Sequence, residues 1–485
     1  MKKIITASLV AALAVTSVQA ESTSDRIDSL EKKLKKLNKK INEVKAHDAG
    51  DNIKWGVDMR TSYDNINYDL ADGTTAGKSN LYSMRLWLNM AYAPDANNVF
   101  KGQLSMNKAF GASFDSPMNR PYDAFDWTTN EALRDSALRV RQAYWLYLGE
   151  KAFGLDMPWT FSIGRRPSTN GFLSNLSQDD AAASPLGHII NVEYDGLSSK
   201  LDLSKVTGVP GMSIKLCMGN GSTNAVPLIG SATPNASQEF TTLGENLEDI
   251  QLAGFIVEPY NDGQIITKAL WFKAFDLPDL VNPNAQPGDF DFAQMTQVGD
   301  IEGGAFSVLI DGLTEEGYFA DAKVFGSIAY SKTHPDAGQA MLNPMAPGES
   351  ETGTSYWFGA YLPVTDGENN YGRLGLEFNH GSQYWRPFTY AEDTMAGSKM
   401  ATRGDAFEVN YTYQINEALS MQARYVRMDY DYTNSNGFFG GTTGTSMKID
   451  DVKAAAAGGH VPSQMWLPNI VETAEDFRFY VRYRF

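Results

Sequence analysis

From Ile53 to the carboxy-terminus, apolar and polar residues alternate at period two in segment after segment, the pattern of strands with unlike faces. Leu81–Ala93 is the clearest case. Tyr82, Met84, Leu86, Leu88, Met90 and Tyr92 share one face, and Leu81, Ser83, Arg85, Trp87, Asn89 and Ala91 share the other. The second face is too polar for the core of a soluble sandwich. The first has tyrosines at both ends and aliphatics between, a layout suited to a lipid-facing band with interfacial aromatics. Similar strands are predicted over Ile53–Tyr63, Val99–Phe110, Ala137–Leu148, Trp159–Arg166, Ile189–Asp195, Asp249–Pro259, Gln264–Phe275, Ile301–Ile310, Tyr318–Ser331, Thr354–Val364, Tyr371–His380, Ala406–Tyr413, Leu419–Tyr432 and Ala474–Phe485.

The connections alternate in length. Short ones carry turn chemistry, as in Pro94–Asn98, Asn261-Asp262-Gly263, Asp311-Gly312, Asp366–Asn370 and Asn416-Glu417. Long ones are expected at Asp64–Asn80, Gly111–Ser136, Pro167–His188, Gly219–Glu248, Asp276–Asp300, Lys332–Gly353, Gly381–Asp405 and Thr433–Thr473. Eight long loops imply eight hairpins and sixteen strands. Leu197–Val206 and Met212–Met218, joined by Thr207–Gly211, also look like strands and bring the literal count to seventeen. A single-chain barrel with both ends on one side needs an even number. Either one of these segments is an insertion and the count is sixteen, or Thr433–Thr473 hides a strand and it is eighteen. Sixteen is the working count.

The amino-terminal pattern is different. Lys2 and Lys3, the apolar run Ile4–Val18 and the small residues before Glu21 read as a secretory signal peptide over 1–20. Across 21–48, Ile27, Leu30, Leu34, Leu37, Ile41 and Val44 recur at spacings of three and four, an a/d seam with lysines on the other faces. That helix is expected either to join protomers as a periplasmic coiled coil, as in a homotrimer, or to lie in a barrel mouth or tether the chain to the cell wall. The barrel proper is then 53–485.

In the last strand, Phe477, Phe479, Val481, Tyr483 and Phe485 fall on one face, and Asp476, Arg478, Tyr480, Arg482 and Arg484 on the other. This ending resembles Gram-negative outer-membrane porins, whose closing strand ends in phenylalanine and is read by the barrel-assembly machinery. Arg139-Val-Arg-Gln-Ala-Tyr-Trp145 and Gly164-Arg-Arg-Pro167 are similar to strands of several porin families. In layout the chain looks most like a functionally uncharacterised family of bacterial outer-membrane proteins. The resemblance implies an all-β transmembrane protein in outer-membrane lipid, a single antiparallel barrel passing small hydrophilic solutes. A non-conducting surface scaffold, adhesin or sheath for a partner protein is the competing class.

Composition narrows the rest. A net charge of −17 argues against nucleic acid as a partner, because phosphate contacts need a basic surface. The single cysteine, Cys217, excludes an intrachain disulfide and is expected to be a small buried or lipid-facing residue. No cofactor motif is present, and the histidines at 47, 188, 334, 380 and 460 lack paired ligand spacing. Asn379-His380-Gly381-Ser382 superficially resembles the catalytic set of outer-membrane phospholipases, but reads as a polar strand end. No enzyme is expected.

The chemistry with most content is basic. By strand parity Arg60, Arg85, Arg139, Arg141, Arg166, Arg478 and Arg482 point into the lumen, with Ala143, Trp145 and Tyr147 following Arg141. Leu138, Val140, Tyr144, Leu146 and Leu148 are expected to face lipid. An arginine-lined wall opposite acidic loops biases a channel toward anions. The acids named for that role are Asp179, Asp180, Glu245, Glu248 and Asp249.

Overall fold

The computed structural model describes residues 53–110, 138–168, 170–223, 225–227, 240–242, 247–281, 294–366, 369–389, 394–437, 439–440 and 444–485. The predicted signal peptide and the seam of Ile27, Leu30, Leu34, Leu37, Ile41 and Val44 lie outside these residues.

Among the described residues sixteen long strands close into one antiparallel barrel. They are β1 (Lys54–Leu70), β2 (Thr75–Tyr92), β3 (Asn98–Ala109), β4 (Arg139–Gly149), β5 (Trp159–Ser168), β6 (Ile190–Asp202), β7 (Ser213–Ser222) and β8 (Ile250–Asn261). The second half comprises β9 (Ile265–Val281), β10 (Gln294–Asp311), β11 (Lys323–Pro335), β12 (Thr352–Thr365), β13 (Asn370–Gly381), β14 (Gly404–Gln414), β15 (Leu419–Tyr430) and β16 (Val471–Arg484). Each strand pairs with its sequence neighbours, and β1 pairs with β16 from Asp58↔Arg484 to Leu70↔Val471. Closure leaves no unpaired strand edge, the condition for crossing hydrocarbon with strands.

The faces follow the alternation. Phe306, Ile328, Phe358, Phe407 and Val481 stand outward and exposed, forming part of an apolar outer surface. Phe477, Phe479, Tyr483 and Phe485 join them, while Asp476, Arg478, Tyr480 and Arg482 are buried on the lumen side. Tight turns at one end are fixed by side chains: Asp95 accepts from the backbone N–H of Asn97 and Asn98, and Asn416 from Ala418 and Leu419.

Three expectations need correction. The segments predicted at Ile189–Asp195 and Leu197–Val206 merge into one strand, β6, which runs through Gly196 and ends at Asp202 before a helical turn over Ser204–Thr207, so the count of seventeen becomes sixteen. Gly196 faces Gly219 of β7, and a Cβ there would come within 2.1 Å of the Met218 carbonyl oxygen. The glycine marks a close approach of two strands, not a break. Second, Asp64–Asn80 is no long loop: β1 and β2 continue past the others and join through Ala71–Thr74. Likewise Asp276–Asp300 shortens, because β9 runs to Val281 and β10 starts at Gln294, whereas β11 starts only at Lys323.

Third, β4 carries a bulge. Gln103 of β3 pairs with Gln142, but the next residue, Leu104, pairs with Val140. One extra residue in a strand reverses the alternation beyond it. Arg139 and Arg141 keep the lumen side, but Trp145 and Tyr147 turn outward against Phe161 and Trp159. Tyr144, expected in lipid, enters the lumen instead.

Candidate functional site

The seam sets the geometry of the lumen. Arg85, Arg60 and Arg482 are direct cross-strand partners on β2, β1 and β16, a row of three guanidiniums. A second row joins Asp64, Arg478 and Arg424 across β1, β16 and β15. Like charges set side by side repel, and acids and rings interleaved with them offset this. Arg482 grips Asp58 with two nitrogens, and Arg85 stands 3.8 Å from the same carboxylate. Arg60 lies 5.2 Å from the centre of the Tyr480 ring. Arg478 donates to Asp64, and Arg424 to Glu408 at 3.0 Å. Arg85 and Arg141 both stack on Trp87, at 3.5 and 4.4 Å.

Residues 170–189, the connection from β5 to β6, turn into the barrel instead of away from it. Phe172, Leu173 and Leu176 pack on the far wall against Leu309, Phe325, Trp357 and Tyr361. Polar ties hold the tip to the arginine rows. Asp180 accepts from Arg482 and Arg484 at 2.8 and 2.9 Å, and Asp179 from Arg373 at 3.1 Å. Arg482 also donates to the Gln178 carbonyl, and Gln422 to that of Ser177. At the returning end His188 is fully buried between Ser327 and Ser355, each 2.8 Å away, with Trp357 and Trp385 packed beside it. Burial pushes this imidazole down to about 3.

Parts of two further connections, those from β13 to β14 and from β15 to β16, also pack into the mouth, through Trp385, Arg386, Phe388 and Arg403 of the first and Thr433, Ser435 and Phe439 of the second. Phe388 pairs in parallel with Ile190 at the start of β6 and packs on Phe272 and Phe439. Arg386 donates to the Ser435 carbonyl, and Arg403 to those of Trp385, Thr433 and Gly444, so each connection is latched to the other. Burial, with Arg386 nearby, pushes the Arg403 guanidinium down to about 9. Lys399 reaches from the first connection to Glu377 and Glu408, forming with Arg424 a buried group of two cations and two carboxylates.

Between these fillings and the β2–β9 wall lies a cavity of about 520 Å³. Lys101, Arg141, Arg166, Lys215 and Arg482 line it, against the carboxylates of Asp58 and Asp180. Another part of the lining is apolar: Ile190, Val192, Leu252, Ile256, Leu270 and Phe272. Cys217 faces this cavity, not lipid.

All seven arginines named from sequence lie on lumen-side positions, but they divide. Arg141, Arg166 and Arg482 line the cavity, whereas Arg60, Arg85 and Arg478 are packed within the wall and Arg139 sits at the start of β4, paired with buried Ser105. Asp179 and Asp180 reach the arginine rows, Glu248 and Asp249 lead into β8 far around the barrel, and Glu245 lies outside the described residues. Asn379 points inward to Ser355 while His380 points outward to Asp405, so the Asn–His–Ser run converges on nothing. Parity alone would have placed Asp58, Lys101, Lys215 and Arg424 inward. Nothing in the local pattern signals Lys399, which reaches its partners from a loop.

A family model described as "Protein of unknown function (DUF3373)" matches residues 75–485. No curated protein matches the sequence. Among solved structures, the barrel is similar to OprB of Pseudomonas putida, at 11% identity and TM-score 0.48, over 91% of this chain and 96% of that one. It is also similar to an anion-selective porin from Comamonas acidovorans (10% identity, TM-score 0.44, 90% and 100% covered). OmpF of Salmonella typhi, solved with daunomycin, gives 10% identity and TM-score 0.44 over 90% and 99%.

Proposed function

The chain belongs to this family of unknown function, and we propose that it is an outer-membrane porin that lets small hydrophilic solutes diffuse through its lumen, with a preference for anions. The observation that carries this reading is the cavity left beside the inward loop, where five cationic side chains face two carboxylates. A closed barrel of this strand number is wide enough for an aqueous path, and fixed charge at a constriction sets which ions pass. Beyond the cavity Lys200 and Lys268 share the single carboxylate of Glu258, so the positive excess continues along the same wall.

The mutual latching of the β13–β14 and β15–β16 connections favours a second reading, a plugged barrel that serves as a scaffold. Purified full-length protein in a planar bilayer separates the two. Under a salt gradient the porin gives stepwise conductance with a reversal potential on the anion side. Lys101→Glu, at an exposed lining position, and the pair Arg139→Glu and Arg141→Glu then move that potential toward cations. A bilayer that stays closed at several voltages defeats the channel, and an open channel indifferent to all three substitutions defeats the anion preference.

A further inference from the structure

The cavity lining is of two unlike kinds, and a purely aqueous ion path needs only one of them. Of the cationic kind, Lys101, Arg166 and Lys215 have no carboxylate partner among the described residues; Lys215 is held by the Ser184 hydroxyl at 2.7 Å. Arg166 is fixed over the Tyr144 ring at 4.7 Å, and its buried Nη1 has no hydrogen-bond partner among the described residues. A buried guanidinium nitrogen left unpaired is costly, and Arg166, Lys200 and Lys268 all repel the Lys215 ammonium. A bound anion relieves both costs.

On the adjoining strands β6, β8 and β9 stand Ile190, Val192, Leu252, Ile256, Leu270 and Phe272, with Ile256 the direct cross-strand partner of Lys215. Lumen positions of a water-filled barrel are ordinarily polar. This apolar wall is part of a buried cluster with Leu186, Trp385 and Phe388 from the inward loops, so it is a built surface and not a stray residue. A volume of about 520 Å³ is in the range of small organic ligands, well above what a chloride ion needs.

We propose that this cavity is a binding site for a small organic anion that joins a carboxylate to an apolar body, the carboxylate on Arg166 and Lys215 and the body against Leu252, Leu270 and Phe272. The proposal rests on the anion-porin reading for its biological sense but not for its test, which measures binding without conductance.

Titration calorimetry of the full-length protein in detergent is carried out with benzoate, acetate, benzyl alcohol and inorganic phosphate. Benzoate binds at one site per chain, and the other three bind at least tenfold more weakly, since each lacks the apolar body or the charge. Arg166→Gln and Lys215→Gln each weaken benzoate about tenfold, the loss expected for one charge-assisted hydrogen bond. Lys101→Gln, at the exposed edge, gives a smaller loss in a variant whose fold is least disturbed, and an unchanged heat-dependent shift in gel mobility certifies each barrel. Phosphate or acetate binding as tightly as benzoate overturns the amphipathic site, as does benzoate binding that ignores all three substitutions or no binding at all. Benzoate binding in a protein that never conducts leaves this inference standing and removes the channel, whereas conductance without benzoate binding does the reverse.

Discussion

Glu408 shows how the lumen holds its charges. Its carboxylate is fully buried and faces both Lys399 and Arg424, while Glu377 faces Lys399 and takes hydrogen bonds from Trp357 and Tyr361. Two cations and two anions thus cancel in a region water does not reach. Removing one partner of a buried ion pair leaves a bare charge and costs roughly 3–5 kcal/mol. Glu408→Gln is expected to lose stability on that scale, read as a lower midpoint for the heat-induced shift in gel mobility. Lys399→Met with Glu408→Gln together should cost less than Glu408→Gln alone; a larger loss would mean that the cluster does not behave as one compensated unit. Single residues of this kind were only half legible in the sequence. Glu408 sits on a strand, and alternation gives its side. Lys399 sits in a connection, where no period exists to assign a direction. At β4 the period itself misleads, because the bulge at Arg141-Gln142 exchanges the faces of Tyr144 and Trp145 while the residue types on both sides remain aromatic.

Among elements, strands were legible and the courses of loops were not. A strand announces itself because its two faces meet different media, lipid outside and a polar lumen inside. Residues 170–189 cross the lumen as an irregular segment with no two-faced repeat, so Phe172, Leu173 and Leu176 show no periodicity although all three are buried. Only the acids Asp179 and Asp180 hinted at the inward course. The seating of this segment depends on pH through His188. Its imidazole has a pKa of about 3 when buried, against 6.5 in the released state. The released state therefore binds the proton more readily throughout that window. Seating keeps its full strength above about pH 6.5 and weakens as pH falls toward 3. Amide hydrogen exchange over 170–189 should accelerate between pH 7 and pH 4, after correction for the intrinsic rate. His188→Asn, which keeps polar atoms near Ser327 and Ser355 without titrating there, should flatten most of that change. An equally steep response in the substituted protein would place the pH dependence elsewhere.

At the scale of the molecule, the pairing of β1 with β16 decides everything inside. Arg60 meets Arg482 and Asp64 meets Arg478 only in this register. A slip by one residue would send Arg478 and Arg482 into lipid and Phe477, Phe479 and Val481 into the lumen, because strand faces alternate at every residue. The apolar and charged faces of the last strand thus fix the closure, and closure in turn builds the anchor for the inward loop through Arg482, Asp58 and Asp180. The register can be tested directly. Thr61 and Val481 are cross-strand partners, both on the lipid side of the seam, and paired antiparallel residues lie within the Cα separation that a disulfide tolerates. With Cys217→Ala as background, Thr61→Cys with Val481→Cys should cross-link under an apolar oxidant in the folded barrel, giving a compact ring that migrates anomalously after boiling. Thr61→Cys with Tyr480→Cys, offset by one residue and on opposite faces, should not. Cross-linking of the offset pair in place of the matched one would mean a shifted seam, and with it a different lumen.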